Sequence, residues 1–308
     1  MSILKHDSLL TDVVHCLGEN SSNKWAGLIY AIEEVVKRNP YSSKSEGSSL
    51  IKKLMWLEQS TLNFPILYLA SLYLYIYATE NGCDTFLFAT RDGCHFHRIF
   101  SKMFPKLNVH YFHCSRKMFE GAVSDGNQSY KDYVLELTKG HMNKAIFIDI
   151  HGTAERVFTY FEKTFGSDNV PYCLLLSAGC RGYRNLPSIT RKYHDKGKFV
   201  NLVFGMRGTT IEMLNYDIVG TLKGYTHEHG PVRDPLEYPL STAKYYHRCI
   251  EFIVEHLLPI EQHTIEKYSR SELNKLIINV CQNLIGKNNQ LIITSGSSIG
   301  NIKHIKKH

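Results

Sequence analysis

Four apolar runs in this chain each lead at once into charged or small polar residues. TFLFAT (85–90) runs into Arg91-Asp92-Gly93, and VHYFHCS (109–115), ending in Ser115, runs into Arg116-Lys117. AIFIDI (145–150) carries Asp149 and leads into His151-Gly152-Thr153, while PYCLLLSAG (171–179) leads into Cys180-Arg181. Residues of these types suit phosphate chemistry. Arg91, Arg116 and Arg181 can fork onto phosphate oxygens. Ser115 and Thr153 offer hydroxyls, and Gly93 and Gly152 let the backbone come close to a ligand. Helices starting after such turns point N–H groups and a positive dipole end at an anion. Asp149 is the most suggestive residue: a carboxylate at this position can act as a nucleophile, hold Mg²⁺ or bind ribose hydroxyls. Asp92 has the same placement, so the two acids could share one metal ion. His151 and Glu155 lie four apart and would share a face, as an acid/base pair, in a helix starting at the His-Gly-Thr turn.

Each turn also has a plainer reading. Asp, Gly, Ser and Thr are common N-caps. Asp92 paired with Arg91 or Arg116 would only order its loop, and Glu155 suits a helix N-terminus. The functional reading rests on several such ends sharing one sheet edge.

Other chemistries find little support. Cys94, His95, His97, His110, His113 and Cys114 cluster in sequence, but no CxxC or HExxH spacing occurs, so no zinc site is expected. GxSxG, GxxxxGK[ST] and GxGxxG are absent. Lys and Arg are dispersed apart from the terminal KHIKKH, which argues against nucleic acid as a partner.

The elements that must position these residues are legible in outline. Short apolar runs alternating with helical stretches imply a parallel sheet covered on both faces. The expected fold is α/β: a Rossmann-like, doubly wound, mostly parallel sheet with N- and C-terminal helical additions. The expected units are helices over 1–60, an α/β core over 61–240, and C-terminal helices with a basic tail over 241–308. YSSKSEGSS (41–49) reads as a linker, and residues 180–240 as irregular apart from a strand at FVNLVFG and a short helix at GTTIEMLNY.

The chain has 308 residues, 43% hydrophobic and 21% charged, which excludes fibrous and wholly disordered classes. Its formal charge of +7 favours an anionic partner. Eight scattered Cys read as free thiols of a reducing compartment. No secretory h-region is apparent at the N-terminus, and the apolar run Phe64 to Ala78 is short for a membrane span. A soluble, cytoplasmic protein is the expectation.

In order, the helix 64–79, FLFATRDG (86–93), YFHCSR (111–116), FIDIHGT (147–153) and TIEMLNYDIVGTLKGY (210–225) resemble an α/β domain of bacterial polysaccharide-biosynthesis and glycosyltransferase-associated proteins. That domain carries RDG and DIGWxGT-type motifs; Ile150-His151 stand where it has Gly-Trp and a spacer. FIDIHGT also resembles a shortened ribose-phosphate loop of phosphoribosyltransferase-like folds. A third resemblance is to the haloacid-dehalogenase-like phosphatases, with Asp149 as the nucleophile, His151 where their general acid stands and Ser177 in the second motif. These resemblances imply an enzyme acting on a phosphorylated sugar or nucleotide. Asp149 and Asp92 would hold Mg²⁺ or ribose, His151 would be the acid/base group, and Arg91, Arg116 and Thr153 would bind phosphate. The alternatives are a phosphatase, or a non-catalytic module binding a nucleotide or protein partner.

Overall fold

The computed structural model describes residues 4–18, 24–42, 50–206, 208–236, 240–259 and 268–285. Most of the expected linker and the whole basic tail lie outside the described residues.

Five strands form the central sheet: β1 (Thr85–Ala89), β2 (Asn108–Phe112), β3 (Ala145–His151), β4 (Tyr172–Ala178) and β5 (Phe199–Phe204). Their order is β2-β1-β3-β4-β5 and every pairing is parallel. The expected α/β fold is therefore present, as a five-stranded Rossmann-like sheet between helical layers. The apolar runs are continuous because both faces are covered. Along β3, Ile146, Ile148 and Ile150 join one buried cluster and Ala145 and Phe147 the other. Alternation across the pleat thus feeds two cores at once.

The first core holds α5 (Cys94–Met103) and the long helix over residues 50–80. That helix comprises α3 (Leu50–Glu58), a π-helical turn (Gln59–Asn63) and α4 (Phe64–Glu80). α1 (Leu4–Gly18), α2 (Ala26–Lys37), α11 (Leu240–His256) and α12 (Arg270–Ile278) pack into the same cluster. The expected boundary at residue 60 falls inside the π turn of one unbroken helix. Over its 31 residues this helix is long and apolar enough to cross a membrane, yet 89% of its most apolar window is buried in this fold. Residues 58–74 are buried on all sides, as a core helix should be, while both ends reach the surface.

The second core lies beneath α6 (Arg116–Asp125), α7 (Gln128–Thr138), α8 (Glu155–Phe165) and α9 (Ser188–Asp195). Residues 180–240 are more ordered than expected. Besides α9 and α10 (Gly208–Asn215) they form an antiparallel hairpin, β6 (Leu222–Thr226) and β7 (Gly230–Arg233). Its strands are short, half-buried and Gly-rich, so they lack an apolar signature. All eight cysteines are free thiols.

Candidate functional site

In a doubly wound sheet the crevice lies outside the carboxyl ends of the strands, where the winding changes direction. Here that point is between β1 and β3, and a cavity of about 440 Å³ opens over it. This falls within the usual range for small-ligand sites. Asp92, Asp149, His151, Glu155, Arg91, Ser115, Arg116, Gly152 and Thr153 all line it. Among the described residues, Gly93 and Arg181 do not. Gly93 closes the turn by donating its N–H to Ala89 at 3.0 Å, and a Cβ there would stand 2.5 Å from the Ala89 carbonyl oxygen. Gly93 thus serves a tight turn rather than ligand approach. Arg181 is exposed, beyond the end of β4.

The Arg91 turn is held on several sides. Arg91 has φ +74°, a backbone state that side-chain-bearing residues seldom adopt. Its N–H donates to the Tyr111 hydroxyl at 2.8 Å, which donates to Asp217 Oδ2 at 2.6 Å. The Asp217 N–H returns to the Arg91 carbonyl at 2.9 Å, closing the circuit. The Arg91 guanidinium forks onto both Asp92 oxygens, at 3.0 and 3.4 Å, and reaches Thr221 Oγ1 at 3.1 Å. Asp92 is therefore held by Arg91 and also faces the cavity.

Three carboxylates meet over the strand ends, Asp92, Asp149 and Glu212, and Glu212 was not among the acids the sequence suggested. Asp149 receives the Ile150 N–H on Oδ1 at 2.8 Å. Burial pushes its pKa well above the ordinary carboxylate range, and Asp92 and Glu212 push it further. Glu212, on α10, is raised to about 7 by burial and by Asp92, with Arg91 and Arg116 pulling the other way. Burial raises Asp92 as well, against the lowering effect of Arg91. Neither Asp149 nor Glu212 makes an ion pair among the described residues. Glu212 lies in the TIEMLNY segment, so its signal was an acid on the short helix after the fifth strand. Sequence reasoning also passed over Thr221 and Arg233, which the hairpin brings to the cavity.

Glu155 differs from expectation. β3 runs on to His151 and α8 begins at Glu155, so the two share no helix face. Glu155 pairs instead with Arg156, at 3.1 Å. His151 has another partner: Nδ1 lies 2.9 Å from Ser177 Oγ, whose own hydrogen points to the Ile150 carbonyl at 3.1 Å. With that hydrogen committed, Ser177 accepts from Nδ1–H. The pairing assigns the tautomer and leaves Nε2 as an acceptor. Burial holds the pKa of His151 below the ordinary imidazole value, which favours the neutral ring.

The rim is cationic. Arg116 and Lys117 open α6, are exposed at the cavity edge, and make no ion pair among the described residues. Ser115 caps this helix by accepting the Met118 N–H at 3.0 Å, and it donates to the Leu222 carbonyl at 2.7 Å. Its hydroxyl is thus already committed within the fold. α8 follows Ala154, at φ +57°, and has no side-chain cap, so its first N–H groups stay available beside the cavity. No family model matches this chain, and no curated protein is significantly similar to it.

Proposed function

We propose that this protein is an enzyme acting on a phosphorylated sugar or nucleotide, bound over the ends of β1 and β3. One observation carries the reading: three carboxylates, each raised by burial, face a basic rim across one cavity. The RDG and FIDIHGT segments, which carry the resemblance to phosphate-handling domains, both border it.

Arg116 and Lys117 bind the phosphate, helped by the uncapped first turn of α8 and the Thr153 hydroxyl. Arg91 holds Asp92 in position. The donor set fits Mg²⁺, which prefers hard carboxylate oxygens. Asp149, Asp92 and Glu212 would hold it, and when bound it neutralises phosphate charge. His151, with Nε2 as acceptor, takes a proton from the attacking hydroxyl, while Ser177 keeps the ring oriented.

A second reading, the phosphatase, draws on the strand geometry. Asp149 and His151 are two apart on β3 and so share a face, with Asp149 as nucleophile. Its weakness is the histidine tautomer, which suits a base better than the acid this chemistry requires.

A panel of sugar phosphates and nucleotides, with and without Mg²⁺, tests the proposal by thermal shift and product detection. Mg²⁺-dependent stabilisation with turnover is expected, and Asp149→Asn should abolish turnover. Full activity in that variant would sink the assignment. A beryllofluoride adduct on Asp149 would favour the phosphatase instead, and stabilisation without product would favour a binding module.

A further inference from the structure

On the opposite face of β1 from the second core, three buried donors face one another: Cys94 and His95 at the start of α5, and His247 in α11. One donor atom from each lies within 4.8 Å of the others. None of the three lines the carboxylate cavity. We propose that Cys94, His95 and His247 form a second, independent site, for a soft divalent cation of the Zn²⁺ type.

His95 is the first argument. It is fully buried, and neither ring nitrogen has a hydrogen-bond partner. Buried polar groups are nearly always paired, so an imidazole without a partner points to a missing one. Its ring centroid is 4.6 Å from that of His247. A nitrogen of His95 and a nitrogen of His247 can therefore turn to one centre.

His247 already carries the outer contacts of a metal ligand. Its Nε2–H points to the Tyr216 carbonyl at 3.0 Å, with Asp217 Oδ1 at 3.8 Å beyond. Metal-binding histidines usually donate their second N–H to such a carbonyl or carboxylate. That leaves Nδ1 as the ligating atom. In the metal-free chain it accepts an N–H from Arg98 at 3.1 Å. The same Arg98 nitrogen also reaches Glu251 Oε1 at 3.3 Å, so Arg98 can release the ring and keep an anionic partner.

Cys94 supplies the soft ligand. Its thiol donates to the Asn215 carbonyl at 3.2 Å. On binding, this proton leaves to solvent and the thiolate takes the cation. One thiolate and two neutral imidazoles leave a single positive charge beside the Asp217 carboxylate, while Glu251 stays with Arg98. In a tetrahedral zinc site, ligand atoms sit about 3.3–3.8 Å apart. Closing from within 4.8 Å needs only side-chain adjustment. A water completes the fourth position. Occupied, the site would tie the turn carrying Arg91 and Asp92 to helix α11.

The test uses the full chain, reduced and stripped with a chelator. Co²⁺ is added first and then displaced by Zn²⁺. One equivalent per chain is expected, with the visible bands of tetrahedral cobalt and a thiolate-to-cobalt band in the near ultraviolet. In Cys94→Ser the thiolate band should vanish, and in His247→Asn the affinity should fall at least tenfold. Zn²⁺ should also raise the melting temperature of the wild type. Absence of the thiolate band in the wild type overturns the proposal, and so does an unchanged band in a folded Cys94→Ser variant. If neither variant folds, the wild-type spectrum decides by itself.

Discussion

Asn63 and Asn215 exchange two side-chain hydrogen bonds, at 3.1 and 3.0 Å, in a fully buried position. Asn63 lies in the π turn of the long core helix, and Asn215 ends the helix that carries Glu212. Asn63 and Gln59 also donate to the Leu214 carbonyl, at 3.3 and 3.0 Å. The π turn rotates these amides toward α10 and so fixes where the third carboxylate stands. π turns are often met near functional sites, and this one borders the helix that carries a proposed site residue.

Asn63→Ala removes one partner of this pair and leaves buried polar atoms unmatched. A loss of about 1–3 kcal/mol in urea unfolding is expected. Ligand-dependent stabilisation should fall with it, because Glu212 loses its anchor. A variant with wild-type stability would show that the amide pair contributes nothing.

Crowded carboxylates are a cost to the fold, one that the proposed chemistry would explain. Glu212→Gln relieves repulsion from Asp92 and burial of a charge. In ligand-free protein at pH 8 the melting temperature should rise by about 1–2 °C, the shift that roughly 1 kcal/mol gives in a chain of 308 residues. Turnover should drop by about 10²-fold or more. Differential scanning calorimetry and product assays check the two halves separately, and a lower melting temperature would contradict the first.

His113 is a half-buried acceptor. Arg233 donates to its Nδ1 at 2.9 Å, and burial followed by the Arg233 charge lowers it to about 4. In the unfolded chain it titrates near 6.5. Between these two pH values the unfolded state holds the extra proton, so its contribution to stability is complete above 6.5 and is lost as pH falls toward 4. Measured by urea unfolding over this window, His113→Asn should show a shallower acid loss than wild type. Parallel curves would remove His113 as a source of acid sensitivity.

Gly93→Ala places a methyl 2.5 Å from the Ala89 carbonyl oxygen, so the backbone must move. A destabilisation of about 1–3 kcal/mol is expected from such overpacking. The same shift should disturb the Arg91–Asp92 fork and weaken phosphate-ligand binding. Unchanged stability by chemical denaturation would show that the turn adapts without strain.

Much of the fold was legible because burial on both faces leaves a plain signature. Each of the strands β1, β3 and β4 reads as a continuous apolar run, and the polar residues that follow them fall at one sheet edge. The hairpin was not legible, since half-buried, Gly-containing strands carry no such pattern. The long core helix hid its π turn, which depends on buried amides finding partners some 150 residues away.

The same division runs through both sites. Strand ends are local, so the sequence alone determined that Arg91, Asp92, Arg116, Asp149, His151 and Thr153 would converge once a parallel sheet formed. Glu212, Thr221 and Arg233 join them only through packing between distant segments. Tertiary structure also decided what His151 does, because its tautomer depends on Ser177 across two strands rather than on Glu155 four residues away. Cys94 and His95 meet His247 across some 150 residues, a distance that no ligand-spacing motif spans. Helix and strand periods are short-range properties of the chain, whereas partners for buried polar atoms are chosen by which surfaces the core brings together.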